Sequence, residues 1–551
     1  PQMKNQIPQT VAQKIAELRL TTMPQKEIER RSRLLRAQVG DVLVKENIFG
    51  ENYVSFKGNA SKDIVQIFQT ENLTDQNLDE VDTETSMNNY LYVVYNGKSP
   101  HAVRSTLRDA GFIACERTSP RFNFYWGIVQ GPKFYQQLAP HMMVNSFPGQ
   151  TWFTQKNKLA STINAYQQRT GVQLLIPFSF KLQEEREELV RYMNAHRDSY
   201  FIYKPIFSSR GANIQLLNYK TPVPDDKEAI VQEYLPRPLL LRGYKFDLRI
   251  YVLLFSIEPL ALYIYKDGIG RFCTQPYEAP SFENFENKRI HLTNFEVNRF
   301  NEGEEPRVLY VGETDESQIL DLEPNFRSKQ SLTEVMNRLD LERECFADLS
   351  LLNLPPNSKP GDGEVKNAIW KEIKFNIAHV VQASEPFLNF KSKECGLMHQ
   401  YPRKNYALYG FDIILDENAH AYCLEVNVLP SMETTTFFDQ KLKFSLLQNV
   451  MEVVQPTVEI KNDALVVPKL GDYPRIAPKF SQQIVKRDKE VVWEELTELE
   501  QRSIAEITEA EKRLGDFERI VPDGDEEFLD RFEHQRYLNE LVGAWIRQNG
   551  I

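Results

Sequence analysis

Two carboxylates and one amide stand out in an otherwise apolar segment, GFDIILDENAHAYCLEVNVLPS, which spans residues 410–431. They are Asp412, Glu425 and Asn427. Polar oxygens on a half-buried face are costly unless they gain partners. Coordination of Mg²⁺, with phosphates completing the shell, would satisfy them. A surface hairpin with solvated acids would explain a lone aspartate, but three such groups in an apolar frame favour a nucleotide–metal site.

The spacing of these residues also predicts how they meet. The polar run 416–418 is typical of a turn between two strands. A hairpin centred on the 418–419 peptide bond sets Asp412 opposite Glu425. Asn427 follows Glu425 by two residues, so the two side chains share one strand face.

A second candidate site is the phosphate-binding segment that starts at Lys204. This lysine ends a predicted strand that Pro205 stops, and the loop 208–211 (SSRG) follows. Small residues let backbone N–H groups approach phosphates. An ordinary turn is the alternative, because Ser-Gly loops are common.

Cations and an acid also alternate along an apolar strand. Lys245, Asp247 and Arg249 share one face of this predicted strand. Arg271 lies where a later strand meets a loop, and His291 belongs to a polar segment, IHLTNFEVN. An anionic ligand between these groups is favoured over a structural salt-bridge ladder. For His291 alone, a hydrogen-bonded structural role is favoured.

Hydrophobic periodicity predicts an α/β protein. Strands alternate with helices from residue 90 onwards, and two long apolar runs, YKFDLRIYVLLFS and LALYIYKDG, predict an antiparallel pair. A helix is predicted over Val365–Ala383 and another over FFDQKLKFSLLQNVMEVV. The predicted division is a basic helical and polar extension at 1–85, an N-terminal α/β lobe at 86–180, a central lobe at 181–240, a C-terminal lobe at 241–456 with a surface insertion at 301–365, and a helical tail at 457–551.

Composition describes an ordinary soluble protein, with 41% hydrophobic and 26% charged residues. No apolar stretch approaches the roughly 18 residues of a membrane span, so no membrane association is predicted. Five scattered cysteines predict a reducing, cytosolic compartment. The first residues lack the features of a secretion signal, and a start at Pro1 suggests that further residues precede it.

The formal charge of −11 argues against bulk nucleic-acid binding. An acidic partner would therefore need a local basic surface. The run Lys26–Arg36 is one candidate. Solvated helix faces are the alternative here and for the tail. The candidate cations of the tail are Lys486, Arg487, Lys489, Lys512, Arg513 and Arg519.

Five motifs occur in an order and spacing that resembles the tubulin tyrosine ligase-like enzymes, which are ATP-grasp amino-acid ligases. The resemblance covers about Tyr90–Val454, and two tail segments, FERIVP and RYLNELVGAW, extend it weakly. Segments FNFYWG and NSFPG and the tail look most like the glutamate-adding members. The five motifs are IYKPIFSSRG, VQEYLPRPLLLRGYKFDLRIYVL, GRFCTQPYE, RIHLTNFEVN and YGFDIILD followed by LEVNVLPS.

This resemblance implies an ATP-grasp fold of three lobes with an appended helical tail domain, and ATP bound between the central and C-terminal lobes. It also implies roles for individual residues. Phosphate contacts would come from Lys156, Lys204, Ser209, Arg210 and Gly211; the adenine hinge from Gln232, Glu233, Tyr234 and Leu235; contacts to ribose and incoming amino acid from Lys245 and Asp247; the hold on the transferred phosphoryl group from Arg249 and Asn294; Mg²⁺ ligands from Asp412, Glu425 and Asn427; and the contact to the amino acid's carboxylates from Arg271.

Several positions depart from the family pattern, and none of them removes a metal ligand. They concern substrate and rate more than catalytic competence. The departures are Ala212-Asn213 in place of Arg-Gly, Gln155-Lys156-Asn157 in place of Arg-Lys-Asp, NSFPG in place of NHFPG, and Val428-Leu429 in place of Leu-Ser.

The function implied is that of a tubulin polyglutamylase, which joins free L-glutamate to the γ-carboxylate of glutamates in acidic tubulin tails through an acyl phosphate. The partners would be tubulin and microtubules, with no nucleic acid and no membrane, and the enzyme would be a monomer. Cytoplasm and cytoskeleton are the implied location, with the cilium or basal body as a further site. A ligase for glycine or tyrosine is one alternative, and a catalytically silent microtubule-binding protein is another.

Overall fold

The computed structural model describes most of the chain beyond residue 100. Among the residues outside the description are the basic run 26–36, three residues of the phosphate loop (208–210) and the tail cations at 486–489. The described residues are 43–46, 52–55, 91–94, 101–110, 112–115, 122–139, 142–207, 211, 213–298, 328–398, 403, 405–434, 436–455, 457–461, 464–466, 490–523, 525–534 and 536–550.

The strands are short except for two central antiparallel pairs. In chain order they are β1 Leu43–Glu46, β2 Asn52–Ser55, β3 Leu91–Val94, β4 Ile113–Ala114, β5 Phe124–Trp126, β6 Met143–Asn145, β7 Ser179–Lys181, β8 Phe201–Pro205, β9 Gln215–Leu217, β10 Ala229–Glu233, β11 Leu240–Leu241, β12 Tyr244–Ile257, β13 Leu260–Phe272, β14 Lys329–Ser331, β15 Asn405–Leu415, β16 Ala421–Val428, β17 Thr457–Lys461, β18 Ala464–Val466 and β19 Phe517–Val521.

The helices range from single turns to 31 residues. They are α1 His101–Asp109, α2 Pro132–Gln136, α3 Thr151–Thr154, α4 Lys156–Thr170, α5 Leu182–Ala195, α6 Lys288–His291, α7 Phe295–Asn298, α8 Leu332–Leu341, α9 Glu364–Glu394, α10 Phe437–Val454, α11 Glu498–Glu511, α12 Glu526–Asp530 and α13 Tyr537–Asn549, with 3₁₀ turns at Arg343–Cys345, Leu349–Leu352 and Trp493–Glu495.

One large mixed sheet forms the centre of the molecule. Its strand order is β14-β13-β12-β15-β6-β5-β3-β4, and β11, β16 and β19 pair with β12, β15 and β13 respectively. Strands β3 to β6 run parallel to their neighbours, and β15 pairs with β6 in parallel. The antiparallel pairing of β12 with β13 confirms the prediction from the two apolar runs. The chain is therefore an α/β protein.

Both faces of the long strands are covered because both faces are apolar. Alternate residues of β12, such as Leu248 and Ile250, pack with helix α9. The intervening residues, such as Leu253 and Phe255, pack with helices α1, α10, α11 and α13. The charged residues at the N-terminal end of β12 also lie on this second face, because side chains alternate along a strand. The part of the face that helix α10 covers therefore ends beside these charged residues.

A smaller antiparallel sheet has the order β7-β10-β8-β9 and its own core with helix α5. Lys204 lies on β8 and Gln232 on β10. A further four-stranded sheet has the order β1-β2-β17-β18. Its first two strands are the part of the 1–85 extension that is described.

The second half of the predicted insertion is not a surface loop. Strand β14 adds to the edge of the large sheet beside β13. Helix α8 follows, and its buried side chains Leu332, Val335 and Leu339 belong to the same core as β12. The prediction of an insertion over 301–365 was therefore wrong from β14 onwards, because acidic and Pro-Gly stretches on either side obscured a short amphipathic helix.

The tail is likewise part of the main body where it is described. Strand β19 pairs with β13 of the large sheet, and helices α11 and α13 pack with α10. The predicted helical tail thus also contributes a strand, and it is integrated into the large sheet and its core rather than appended. None of the described helices combines the length and apolar character needed to cross a membrane.

Candidate functional site

A row of charged side chains crosses the large sheet at the N-terminal end of β12. Asp247 lies directly opposite Arg271 of β13, and Arg249 lies opposite Asp412 of β15. Asp412 in turn lies opposite Glu425 of β16. Directly opposed residues of antiparallel strands share a face, so five charged groups line one surface.

The hairpin of β15 and β16 confirms the predicted pairing of Asp412 with Glu425, although by a different route. Nearer the turn, Ile413 pairs with Cys423, so the turn is centred on Asn418. Leu424 is then an extra residue that forms a bulge and restores the predicted pairing. β-Bulges commonly adjust the direction of a side chain next to a functional site.

Asp412 is the most heavily engaged acid of the row. It accepts two hydrogen bonds from Arg249, from Nε at 2.6 Å and from a terminal guanidinium nitrogen at 3.1 Å. Arg271 approaches within 2.8 Å of Asp412 and also holds Asp247 in a bidentate contact. The two guanidinium groups hold the pKa of Asp412 well below its usual range despite its burial. Both arginines are thus tied to carboxylates.

The three predicted metal ligands converge. The Asn427 amide lies 3.4 Å from a carboxylate oxygen of Asp412 and 3.2 Å from one of Glu425. Lys156, the first residue of α4, approaches Glu425 within 3.2 Å. Among the described residues, no cluster of three or more His, Cys, Asp or Glu side chains is arranged to hold a metal ion, and this set contains two acids and one amide.

Lys204 enters the same space from the small sheet. Its ammonium donates a hydrogen bond of 2.6 Å to Gln232, and the amide of Gln232 donates to Ser179. Burial lowers the pKa of Lys204 to about 8, and the nearby acids Glu425 and Asp412 only partly oppose that effect. The side chain of Gln232 therefore positions Lys204. This role is additional to the adenine-hinge position that the family resemblance implies for Gln232.

Lys245 lies among aromatic side chains. It donates a 2.8 Å hydrogen bond to the hydroxyl of Tyr234 and lies 5.8 Å from the ring centre of Tyr277. His291 contacts the Tyr234 hydroxyl at 3.0 Å and the backbone of Asn284. Burial lowers the pKa of Lys245 to about 8 and that of His291 to about 4. A neutral His291 thus has the structural role that was favoured for it.

The backbone of the hinge segment is partly used within the protein. Glu233 N–H donates to Phe178 and Tyr234 N–H donates to Tyr200. An adenine at this segment would therefore meet the backbone of Leu235 rather than these two donors.

Gly211, the last residue of the predicted phosphate loop, lies against Asn294. Gly211 has a φ of +77°, and an added Cβ would lie 2.9 Å from the side chain of Asn294. Only glycine fits this left-handed, crowded position without strain. Ser209 and Arg210, which complete the predicted loop, are not among the described residues.

All the described predicted site residues border one cavity of about 480 Å³ between the two sheets. They include the predicted phosphate, hinge and metal residues as well as Arg249, Arg271 and Asn294. Residues that sequence reasoning did not assign to the site border it too; they include Trp126, Ile128, Tyr251, Phe295, Lys329, Val428, Met432, Glu433 and Lys443.

Gly410 is a missed residue with a clear packing role. An added Cβ would lie 3.0 Å from Cδ of Arg249 and 3.1 Å from Cβ of Pro430. We expect Gly410→Ala to destabilise the fold by about 1–3 kcal/mol and to shift the guanidinium of Arg249. Chemical denaturation and a turnover assay measure both effects. Gly131→Ala is the matched control, because its Cβ would meet nothing within 4 Å. Equal stability of the two variants would contradict this role.

The tail cations differ in what they contact. Lys512 pairs with Glu509 but stays exposed, whereas Arg513 and Arg519 are largely covered and pair with Glu509 and Glu511. The two arginines are therefore paired within the protein, whereas Lys512 stays exposed.

Comparison with known proteins identifies the family. A family model for the tubulin-tyrosine ligase family matches residues 135–342 and 356–463, more than half of the chain. The match includes β12, β13, β15 and β16 and with them the charged row. The chain belongs to the tubulin-tyrosine ligase family.

Several relatives are named for glutamylation. Tubulin monoglutamylase TTLL4 of Homo sapiens is 28% identical over 81% of this chain and 36% of the relative. Tubulin polyglutamylase ttll-4 of Caenorhabditis briggsae is 28% identical over 83% of this chain and 72% of the relative. A probable beta-tubulin polyglutamylase of Tetrahymena thermophila is 28% identical over 79% and 34%. The chain thus spans about a third of the length of two of these proteins.

Proposed function

We propose that this chain is an ATP-dependent ligase that adds glutamate to the γ-carboxylate of glutamates in tubulin C-terminal tails, a tubulin polyglutamylase. The observation that carries the proposal is the convergence of Lys156, Lys204, Arg249, Asp412 and Glu425 on one cavity. Such a mixture of cations and acids suits a nucleotide triphosphate with its metal. The names of the relatives favour glutamate as the amino acid transferred.

The corresponding architecture is an ATP-grasp fold with three lobes, at 86–180, 181–240 and 241–456. Supporting it, Lys204 of the small sheet and Lys245 of the large sheet border the same cavity. ATP would lie between these sheets. Its phosphates would meet Lys156, Lys204 and the loop at Gly211, and its adenine would lie against Leu235.

Mg²⁺ would be held by Asp412, Glu425 and Asn427. The donor set fits a hard cation, because the amide already lies within 3.4 Å of both carboxylates and would present its oxygen after a half-turn. When bound, Mg²⁺ would neutralise phosphate charge. Lys156 contacts Glu425 and Arg271 contacts Asp412, and these contacts orient the two acids.

The reaction would proceed in two steps. An oxygen of the acceptor γ-carboxylate bonds to the γ-phosphorus of ATP, and ADP leaves. The amine of free glutamate then attacks the acyl carbon, phosphate leaves, and the amine gives up a proton. Both steps gather negative charge, so the fixed guanidinium of Arg249 and the ammonium of Lys204 would provide the main stabilisation. Asn294 would help to hold the transferred phosphoryl group.

Tubulin in microtubules would be the protein partner, reached in the cytoplasm and cytoskeleton and, as a further expectation, in the cilium or basal body. The chain carries a formal charge of −11, so approach to acidic tubulin tails would depend on local basic surfaces. Exposed Lys512 remains a candidate for such a surface.

We expect the affinity for ATP to fall as the pH rises through about 8. Burial lowers the pKa values of Lys204 and Lys245 to about 8, so both ammonium groups lose their protons above that pH. The KM for ATP, measured at pH 7 and pH 9, should rise several-fold. Lys204→Arg keeps its charge at both values and should weaken the dependence. A flat KM for the wild type would contradict the role of the two lysines.

Two other functions make different predictions. A ligase for glycine or tyrosine would use the same nucleotide site with another amino acid. A silent microtubule-binding protein would not need the bidentate contact of Arg249 with Asp412 or the convergence on Asn427.

The experiment that separates them offers the purified chain ATP, Mg²⁺, microtubules and radiolabelled glutamate, glycine or tyrosine in turn. We expect ATP-dependent incorporation of glutamate well above the other two. Preferred incorporation of glycine or tyrosine would refute the substrate, and no incorporation of any of them by folded protein would refute the enzyme.

A further inference from the structure

A second group of charges continues the row at its far edge. Lys329 of β14 lies directly opposite Arg271 of β13, so it extends the charged surface by one strand. Asp439 and Lys443, from the first turns of α10, cover this end. Glu425, one of the proposed Mg²⁺ ligands, lies on β16 at the opposite end of the row.

The two lysines share one carboxylate. Asp439 is fully buried and accepts hydrogen bonds from Lys329 at 3.0 Å and from Lys443 at 2.8 Å. Lys443 also donates to the carbonyl of Glu433, and Lys329 lies 3.7 Å from the ring centre of Phe295. The two ammonium groups border the cavity, whereas Asp439 does not line it. Within this group of three, two cations share one acid, so the group itself carries an excess positive charge beside the cavity.

The arginines nearby do not offer the same charge. Arg249 is held by Asp412, and Arg271 is held by both Asp247 and Asp412. A carboxylate entering this end of the cavity would consequently find its complement in Lys329 and Lys443. Bringing an anion to partly desolvated cations is favourable, because each unneutralised cation there is costly.

Position indicates which substrate supplies the anion. The γ-phosphoryl group would lie near Arg249 and the predicted metal residues, and the acceptor carboxylate reacts there. Val428 borders the cavity, is 37% exposed, and lies on β16 at the other end of the row. The nearly closed end at Lys443, which is 4% exposed, suits a small free amino acid better than a protein tail.

We propose that Lys329 and Lys443 bind the side-chain carboxylate of the incoming free glutamate and thereby select it. The inference rests on the proposed function. It assigns the recognition of the amino acid's side chain to Lys329 and Lys443 instead of Arg271. These two lysines are specificity-determining residues, since they contact a part of the substrate that does not react.

The test is Lys329→Met, which leaves Asp439 and Lys443 as a balanced pair and should preserve the fold. With wild-type, ATP-dependent ligation as the baseline, we expect the KM for glutamate to rise about tenfold or more and the preference for glutamate over glutamine to fall by a similar factor. The KM for ATP should not change. Lys329→Arg should retain most of the preference, and Lys441→Met, an exposed lysine on the same helix, is the matched control.

Two results would overturn the proposal. One is an unchanged KM for glutamate in folded Lys329→Met; the other is an equal rise in KM for glutamate and glutamine, which would indicate recognition of the α-carboxylate. Lys329→Gln serves as a second variant if the methionine variant does not fold. Failure of the wild type to ligate any amino acid would instead refute the proposed function, so the two failures are distinguishable.

Discussion

Glu425→Gln should lower ATP-dependent ligation by at least about a hundredfold while leaving the fold intact. The substitution removes the charge of one predicted Mg²⁺ ligand but keeps its size and one carbonyl oxygen. Glu425 is not deeply buried, and it contacts Lys156 and Asn427, which can remain in place. Turnover under saturating ATP, compared with thermal stability, separates loss of chemistry from loss of structure.

The matched control is Glu417→Gln in the turn of the same hairpin. Glu417 is also partly exposed and pairs with Arg237 outside the cavity. It should retain wild-type turnover. Comparable activity of a well-folded Glu425→Gln enzyme would remove this residue from the metal site.

Arg249→Lys should reduce turnover by about 10²- to 10³-fold, although the positive charge is kept. The guanidinium holds Asp412 through two nitrogens at once, and an ammonium cannot reproduce that planar contact. In the proposed reaction, the residue would also meet the transferred phosphoryl group from a fixed direction. Single-turnover kinetics would report the loss in the chemical step, with the KM for ATP much less affected.

Arg237→Lys is the control for the arginine variant, because Arg237 is a largely exposed arginine that also pairs with a carboxylate. It should behave like the wild type. If Arg249→Lys were equally active, the role of Arg249 in phosphoryl transfer would be refuted.

The strand pattern of the sequence was enough to predict which side chains of β12 and of β16 share a face, because side chains alternate along a strand. It did not predict that Arg249 and Arg271 pair with Asp412 and Asp247 across the strands, since an anionic ligand was favoured over such a ladder. It could not predict the bulge at Leu424, which depends on how β16 packs. Helix α9 continues to Glu394, beyond the predicted end at Ala383, although Pro386 lies inside it. Burial of Leu388 in the main core outweighs the local cost of the proline.

Lys329 and the pair Asp439 and Lys443 were missed for a physical reason. An acid and a lysine four residues apart on a helix are typical of a solvated face, and no local signal indicates that tertiary packing will bury them. Strand β14 has three residues and follows a long polar segment, so periodicity could not reveal it. Charges that come together only through packing of distant elements need the structure.

The most direct test of the central claim is tandem mass spectrometry of tubulin tails after incubation with the purified chain, ATP, Mg²⁺ and isotopically labelled glutamate. We expect labelled glutamyl residues joined through the γ-carboxylate of tail glutamates, only when ATP is present and not with Glu425→Gln. Absence of this branch from tubulin treated with folded, ATP-binding protein, or a label found on another amino acid, would contradict the assignment as a tubulin glutamate ligase.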